Sequence, residues 1–206
     1  MTTRTPSKMR IALFGGSFDP PHFGHVMTIT AALNSGECDQ VWLVPSGVHR
    51  DKQTHATPED RKAMIAIMLA TMFGSRVPIQ MLPLQIEEKE RISTSFDLVA
   101  ALKGRHPDYS FQLVIGSDLV KDVPQWHRAQ ELQRIVSFLV MPRPGYDVAG
   151  KLPAGMKLLS SPGLALTNIS SSMVREMIRS GKSLEGIIPP AVISHIIRHN
   201  LYGHQH

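Results

Sequence analysis

The stretch MRIALFGGSFDPPHFGH, residues 9–25, decides the fold. Its apolar run IALF predicts a short buried strand, and Gly15 and Gly16 follow that strand directly. Glycines in this place let backbone N–H groups approach a ligand closely, because they carry no Cβ. A proline pair then ends the extended chain and a new apolar pattern begins, which places His22 and His25 near a helix N-terminus, where anions bind favourably. The stretch therefore predicts a phosphate-binding turn between a strand and a helix.

The histidine pair has a second interpretation, because two histidines one turn apart can supply half of a zinc ligand set. The single cysteine, Cys38, has no C-x-x-C partner. The other histidines are scattered, and His195 and His199 lie four positions apart in a late helical segment. Since no ligand pair matches His22 and His25, we expect no metal ion held by protein ligands.

A serine-rich segment near the other end of the chain, ISSSMVR at residues 169–175, predicts the start of another helix. Serine hydroxyls and the free N–H groups of a first helical turn can donate to a polyphosphate, and Arg175 lies about one turn further on. Taken alone, the segment is better explained as a serine N-cap followed by a surface arginine. Paired with the first segment, it indicates a second phosphate-binding element.

Both segments match signatures of one superfamily. GGSFDPPHFGH resembles the (H/T)xGH signature of the nucleotidylyltransferases, and ISSSMVR resembles their ISSTxxR signature. Two further stretches, GSDLVKDVPQWHRAQEL at 116–132 and GKSLEGIIPPAVISHIIRHNLY at 181–202, resemble the bacterial nicotinate-mononucleotide adenylyltransferase family. The resemblance extends in the same order from residue 9 to residue 202.

The resemblance implies attack by the 5′-phosphate of nicotinate mononucleotide on the α-phosphorus of ATP, which yields nicotinate adenine dinucleotide and pyrophosphate. Such a transfer needs in-line positioning and neutralisation of charge on the leaving group more than it needs a protein nucleophile. His22, His25 and Arg175 are the implied catalytic residues. Mg²⁺ is the implied cofactor, and the triphosphate and water supply most of its ligands.

The resemblance also assigns residues to the two substrates. Asp118 corresponds to a position near the ribose hydroxyls, with a helix cap as the alternative. Trp126 corresponds to a tryptophan that stacks on the pyridine ring, with a plain core residue as the alternative. The implied ATP-binding residues are Gly15, Gly16, Ser17, Phe18, Gly24, Gly116, Asp118, Ser170, Ser171 and Ser172. The implied acceptor-binding residues are Lys52, Thr94, Ser95, Trp126 and His127.

Short apolar runs alternate with helical patterns along the chain. Predicted strands cover 11–14, 41–44, 79–86, 111–115, 135–141 and 157–160, and predicted helices include one from Thr57 to Gly74 and one over 95–103. This alternation predicts a three-layer α/β/α, Rossmann-like fold with a mainly parallel sheet, whose ligands gather at the carboxyl ends of the strands.

Length and composition indicate one domain over residues 1–206, with its core at about 9–202 and a C-terminal helical part from about 170. The 206 residues are 42% hydrophobic, and a chain of this length buries about 70% of its unfolded surface. No apolar run approaches the roughly 20 residues of a membrane span, and residues 1–8 lack the apolar core of a signal peptide. We therefore expect a cytoplasmic protein with no membrane partner.

The chain is basic, with a net charge of +5 and a pI near 9.6. Its lysines and arginines are dispersed and aromatic residues are only 6% of the chain, so we expect nucleotide steering and no nucleic-acid partner. A homo-oligomer remains open. Three other functions also remain open: phosphopantetheine adenylyltransferase, nicotinamide-mononucleotide adenylyltransferase, and a nucleotide-binding regulator without catalysis.

Overall fold

A six-stranded sheet forms the centre of the computed structural model, which describes residues 8–47, 54–146, 152–161 and 163–204. All five strand pairings are parallel, and the strand order is β3-β2-β1-β4-β5-β6. The strands are β1 (Met9–Gly16), β2 (Gln40–Pro45), β3 (Ile79–Met81), β4 (Tyr109–Gly116), β5 (Ser137–Met141) and β6 (Met156–Leu158).

Helices connect the strands and follow the last one. They are α1 (Phe23–Asn34), α2 (Pro58–Met72), α3 (Leu84–Glu87), α4 (Ser95–Arg105), α5 (Ala129–Ile135), α6 (Ser171–Arg179) and α7 (Pro190–Arg198), with short 3₁₀ turns at Ser117–Leu119, Val123–Gln125 and Leu201–Gly203. Among the described residues, none of these helices has the length and apolar character needed to cross a bilayer.

Two hydrophobic clusters cover the two faces of the sheet. Side chains alternate along β1, so Ala12 joins the cluster under α1, α2, α6 and α7, while Ile11 and Leu13 join the cluster under α4 and α5. Val174 of α6 and Val192 of α7 are fully buried in the first cluster. The predicted three-layer α/β/α fold with a parallel sheet is therefore confirmed.

Local sequence signals fix α2 as predicted. Thr57 caps the helix by accepting the backbone N–H of Asp60, and Pro58 occupies the first helical position. The helix ends at Met72, and Gly74 follows with a φ of +65°, a left-handed conformation that glycine adopts without strain.

Three predicted strands have wrong bounds. The strand predicted at 157–160 is β6, which runs from Met156 to Leu158. The strand predicted at 79–86 ends at Met81, because Pro83 turns the chain and its carbonyl accepts the N–H groups of Ile86 and Glu87, which begins α3. The strand predicted at 135–141 begins at Ser137, since Ile135 still belongs to α5.

The order of the strands places a ligand site. The chain leaves β1 toward β2 on one side and later returns to β4 on the other, so the sheet reverses its order between β1 and β4. At such a switch point the connections leave in opposite directions and open a crevice at the carboxyl ends of the strands. Gly15 and Gly16 end β1 at this crevice, and Gly116 ends β4.

Candidate active site

The turn after β1 places both predicted histidines at the start of α1. His22 is the N-cap of the helix and is 2% exposed, while His25 lies in the first turn and is half-buried. Their rings stack with centroids 3.8 Å apart. The prediction that the pair lies at a helix N-terminus is confirmed.

The hydrogen bonds of this turn fix the tautomer of His25. Its Nδ1 accepts the backbone N–H of His22 at 3.1 Å, so the proton of the neutral ring lies on Nε2. Burial, reinforced by the charge of Arg143, lowers the pKa of His22 to about 3. Burial first, and then the neighbouring His22 and Arg143, hold the pKa of His25 well below its usual value. Both imidazoles are therefore neutral at pH 7, and each can donate one N–H.

Gly24 leaves room for the His22 ring. A Cβ at this position would lie 2.9 Å from Nδ1 and 3.0 Å from Cε1 of His22, closer than van der Waals contact allows. At Gly15 the situation is different, because a Cβ there would meet nothing within 4 Å and the residue is exposed. Gly15 thus presents open backbone at the end of β1, as a ligand approach requires.

Two other predicted residues of this turn, Ser17 and Phe18, have structural contacts with the protein. Phe18 is fully buried, with its ring 4.7 Å from the His25 ring, so its side chain packs in the core. The carbonyl of Ser17 accepts a hydrogen bond from the guanidinium of Arg61, which also donates to the carbonyl of Ser46 after β2. Arg61 is 1% exposed, and this buried cross-link between two strand ends could not be read from the sequence.

The second predicted motif packs directly on the first. Arg175 Nη1 donates to the carbonyl of Asp19 at 2.7 Å, and Ser171 Oγ donates to the carbonyl of Pro20 at 2.9 Å. Arg175 Nη2 also donates to Ser172 Oγ. More than 150 residues separate these partners in the chain, and the fold brings them together at the start of α1.

Ser170 has a local role in this segment. Its Oγ accepts the backbone N–H of Met173 at 3.2 Å, which makes it the N-cap of α6. The N-cap interpretation is thus correct for Ser170, while the surface-arginine interpretation is wrong for Arg175, because that guanidinium is anchored on the first motif. The N-terminus of α6, with the free N–H groups of its first turn, consequently lies beside the segment from Gly15 to His25, which we call the histidine turn.

Asp19 holds the turn in place. It is 1% exposed, and its carboxylate accepts the backbone N–H groups of His55 and Ala56 and the hydroxyl of Tyr202. These bonds tie the turn to the start of α2 and to the end of the chain. The carboxylate is therefore committed to structure.

Asp118 is positioned by Arg143, a residue that follows β5 and that no sequence motif marks. Arg143 Nη1 donates to Asp118 Oδ2 at 3.0 Å, and the backbone N–H of Arg143 donates to Ser117 Oγ. A Cβ on Gly116 would lie 2.2 Å from Asp118 Oδ1, so any larger residue at the end of β4 would displace this carboxylate. The available signal for Arg143 was its position just after β5, at the same edge of the sheet.

His22 Nδ1, after β1, and Asp118 Oδ1, after β4, are among the buried polar atoms that have no hydrogen-bond partner within the described residues. Buried polar groups in proteins are almost always satisfied by protein, water or ligand. A narrow crevice begins beside them and is lined by Gly24, Thr28, Met141, Pro142, Arg143, Thr167 and Ile169. The arrangement therefore offers polar groups to a molecule bound between β1, β4 and the second motif.

The predicted acceptor residues lie on another part of the same edge. Thr94 caps α4, and its hydroxyl accepts from the Asp97 backbone and donates to the Asp97 carboxylate. Ser95 is the first residue of α4. A cleft of about 290 Å³ next to Ser93 is lined by Gly47, Gln85, Lys89 and Glu90. This cleft could accommodate the acceptor, but the Thr94 hydroxyl is already engaged within its own cap.

Trp126 and His127 follow the 3₁₀ turn after β4. Trp126 is half-buried and packs against Phe138, with ring centroids 6.3 Å apart, whereas His127 is exposed. Trp126 is thus neither a fully buried core residue nor a fully exposed one, and part of its side chain remains accessible. Lys52, the fifth predicted acceptor residue, lies outside the described residues.

The chain is similar to known proteins over most of its length. A family model described as cytidylyltransferase-like matches residues 13–177. A relative from Geobacillus thermodenitrificans, named "Probable nicotinate-nucleotide adenylyltransferase", is 33% identical over 196 residues that cover 94% of this chain and 86% of the relative. A relative of the same name from Halalkalibacterium halodurans is 34% identical over 195 residues, 94% of this chain and 91% of the relative.

A solved structure has the same fold over nearly its whole length. The Plasmodium falciparum nicotinic acid mononucleotide adenylyltransferase complexed with NaAD matches with a TM-score of 0.83 and 26% identity, covering 96% of this chain and 98% of that one. The family model, the relatives and this structure all match the segments that carry both motifs. The chain therefore belongs to the cytidylyltransferase-like family and, within it, to the nicotinate-nucleotide adenylyltransferases.

Proposed function

We propose that the protein transfers the adenylyl group of ATP to nicotinate mononucleotide, giving nicotinate adenine dinucleotide and pyrophosphate. The observation that carries this proposal is the docking of Arg175 on the carbonyl of Asp19 at 2.7 Å, which joins the two phosphate-binding motifs into one site. Family membership supports the choice of reaction, and the joined motifs supply the groups that the reaction needs.

The histidine turn handles the reacting phosphate. An oxygen of the acceptor 5′-phosphate attacks the α-phosphorus of ATP, and the bond from that phosphorus to the bridging oxygen of the β-phosphate breaks. His25 can donate its Nε2 proton to an oxygen of the transferred group, because its Nδ1 is held by the backbone of His22. Two neutral donors fixed by packing stabilise the developing charge without reorganising during the reaction.

The second motif handles the leaving group. Pyrophosphate departs with increasing negative charge, and Arg175 together with the N-terminus of α6 presents positive charge and N–H donors to it. Ser171 and Ser172 hold this end of the helix and its arginine in register with the histidine turn. Arg143, paired with Asp118, adds a further positive charge at the same edge.

Mg²⁺ enters this proposal as part of the nucleotide substrate. Mg²⁺ prefers oxygen ligands and commonly takes them from phosphates and water. The described part of the chain contains no group of three clustered carboxylates, and the Asp19 carboxylate is already occupied by hydrogen bonds. The residues of the site therefore fit a metal that arrives on the triphosphate, where it neutralises charge on the leaving pyrophosphate.

The acceptor side is proposed to lie over the cleft beside α4. The first-turn N–H groups of this helix and its positive dipole end favour a carboxylate such as that of nicotinate. The accessible part of Trp126 offers a flat apolar surface for a pyridine ring. A cytoplasmic location belongs to the same proposal, and the buried Cys38, which is free of a disulfide, is compatible with a reducing compartment.

The test is pyrophosphate release from ATP and Mg²⁺, measured without acceptor and with nicotinate mononucleotide, nicotinamide mononucleotide or phosphopantetheine. The proposal expects release that depends on the acceptor and the highest kcat/KM with nicotinate mononucleotide. A higher kcat/KM with either of the other two acceptors would assign that compound as the substrate, while adenylyl transfer from ATP would remain the reaction. ATP binding without release in any mixture would indicate a nucleotide-binding regulator and would overturn the proposal.

A further inference from the structure

A cluster of three metal-ligating side chains lies between α2 and the end of α7. His195 Nε2 and His199 Nδ1 each lie 3.2 Å from the same oxygen, Oδ1 of Asp60. The two imidazole rings stack with their centroids 4.0 Å apart, and all three ligand atoms lie within 4.8 Å of one another. The cluster is built from side chains that the proposed reaction does not use.

The arrangement of the donor atoms suits a shared ion. A tetrahedral Zn²⁺ ion with bonds of about 2.0–2.1 Å separates its ligand atoms by about 3.3–3.4 Å, close to the 3.2 Å between Asp60 Oδ1 and each histidine nitrogen. Histidines four positions apart on a helix project from one face and can bind one metal ion together. Two imidazoles and one carboxylate are ligands typical of divalent first-row transition metals.

The surroundings of Asp60 orient it for this role. Its second oxygen, Oδ2, accepts the hydroxyl of Thr57 at 2.7 Å, which leaves Oδ1 directed at the histidines. Such a partner behind a ligand fixes the ligand's orientation in many metal sites. The Asp60 and His195 side chains are 16% and 8% exposed, whereas His199 is 45% exposed. Water can therefore reach the cluster and complete a fourth coordination position.

From this geometry we propose that Asp60, His195 and His199 bind a divalent transition-metal ion of the Zn²⁺ class, which clamps α7 onto α2. No metal ion held by protein ligands was expected from the sequence, in which His195 and His199 stand four positions apart with no neighbouring third ligand. Asp60 supplies it from 135 residues away. The clamp also secures the histidine turn, because Tyr202, just beyond α7, donates its hydroxyl to Asp19 Oδ1 at 2.8 Å.

Zn²⁺ titration of the full chain, stripped of metal with a chelator, tests the proposal. We expect one tight site by isothermal titration calorimetry. At a free Zn²⁺ concentration of about 100 times the Kd, we expect Tm to rise by about 5–10 °C. Mg²⁺ at the same concentration should leave Tm unchanged, because a hard cation disfavours imidazole ligands.

Variants assign the binding to these three residues. Asp60→Asn and His199→Ala should each abolish the tight site and the Zn²⁺-dependent rise in Tm. His106→Gln is the matched control and should keep both, since His106 ends α4 on the opposite face of the sheet. Comparing each variant with its own metal-free Tm separates loss of the ion from loss of the hydrogen bonds among the three side chains.

Two results would overturn the proposal. One is the absence of a tight Zn²⁺ site in the wild-type chain, which would make the cluster a hydrogen-bonded contact only. The other is an equal Zn²⁺-dependent rise in Tm in Asp60→Asn and His199→Ala, which would place the ion elsewhere. Neither measurement uses the adenylyl-transfer activity, so the outcome is independent of the proposed function.

Discussion

The candidate site has two proposed halves that are built in different ways. The phosphate half contains His22, His25 and Arg175, and the acceptor half contains Thr94 and Trp126. In the phosphate half, hydrogen bonds between distant segments hold the two motifs together, such as the bond from Arg175 to the carbonyl of Asp19. In the acceptor half, the hydroxyl of Thr94 is bonded within its own cap and Trp126 is half-buried beside an open cleft. The difference indicates that phosphate chemistry is preformed, while acceptor selectivity depends on fewer and less constrained groups.

Replacement of His22 should have the largest effect, because it removes a buried donor from the preformed half. His22→Ala should lower kcat by about 10²- to 10³-fold, the scale for one electrostatic contact to a transition state. Steady-state pyrophosphate release measures this. His106→Ala is the control and should keep kcat, because His106 packs on Tyr109 away from the site. Near-normal turnover of His22→Ala would show that the turn is not the reacting centre.

Loss of Arg175 should have the next largest effect. Arg175→Ala should lower kcat/KM for ATP by about 10²-fold, because it removes a charged donor to the leaving group and the link between the motifs. Arg175→Lys keeps the charge without the planar fork and should recover part of the loss. Arg179→Ala, one turn later on α6 and exposed, serves as the control. Equal kinetics for the Arg175 and Arg179 variants would contradict the assigned role.

Gly24→Ala tests how strictly the phosphate half depends on geometry. The added Cβ would lie 2.9 Å from His22 Nδ1 and would displace the ring. Displacement of a catalytic group by about 1 Å can cost about 10²-fold, so we expect kcat to fall by about 10- to 10²-fold. The control is Gly104→Ala, since a Cβ there meets nothing within 4 Å. An unchanged kcat in Gly24→Ala would show that the His22 ring needs no fixed position.

Trp126→Ala separates the two halves of the site. We expect the KM for nicotinate mononucleotide to rise by about 10-fold, the equivalent of roughly 1.4 kcal/mol of lost stacking. The KM for ATP should stay unchanged. The KM of Trp126→Phe for nicotinate mononucleotide should lie between those of the wild type and Trp126→Ala. If Trp126→Ala instead lowers Tm and leaves both KM values alone, the residue belongs to the core only.

The smallest expected effect is on stability as a function of pH. The unfolded chain binds a proton at each histidine near pH 6.5, whereas burial lowers the pKa of folded His22 to about 3. Between these values the unfolded state holds more protons, so the free energy of unfolding falls as the pH falls. His22 alone should contribute about 1 kcal/mol per pH unit below pH 6.5. Urea titrations of wild type and His22→Asn check this, and equal slopes would contradict the low pKa.

Much of the fold could be predicted from local sequence signals. The apolar run of β1, the cap at Thr57 and the end of the helix near Gly74 are set by signals within a few residues, and the structure confirms each of them. The strand predicted at 79–86 was wrong because its apolar residues continue into α3, where Pro83 changes the backbone direction. Periodicity alone does not separate a short strand from a short helix in such a run.

The site could be predicted only where its residues occur in compact motifs. His22, His25 and Arg175 lie in such motifs, and the structure brings them together. Arg61 and Arg143 were missed, since their partners come from other elements and no local pattern marks them. For the same reason, the sequence did not identify Asp60 as a neighbour of His195 and His199.

A competition experiment tests the central claim most directly. The enzyme is given ATP, Mg²⁺ and equal concentrations of nicotinate mononucleotide and nicotinamide mononucleotide, and both dinucleotide products are quantified by mass spectrometry. Their ratio at early times equals the ratio of the two kcat/KM values. The proposed function predicts nicotinate adenine dinucleotide as the main product. Formation of neither dinucleotide, or mainly of the nicotinamide product, would contradict it.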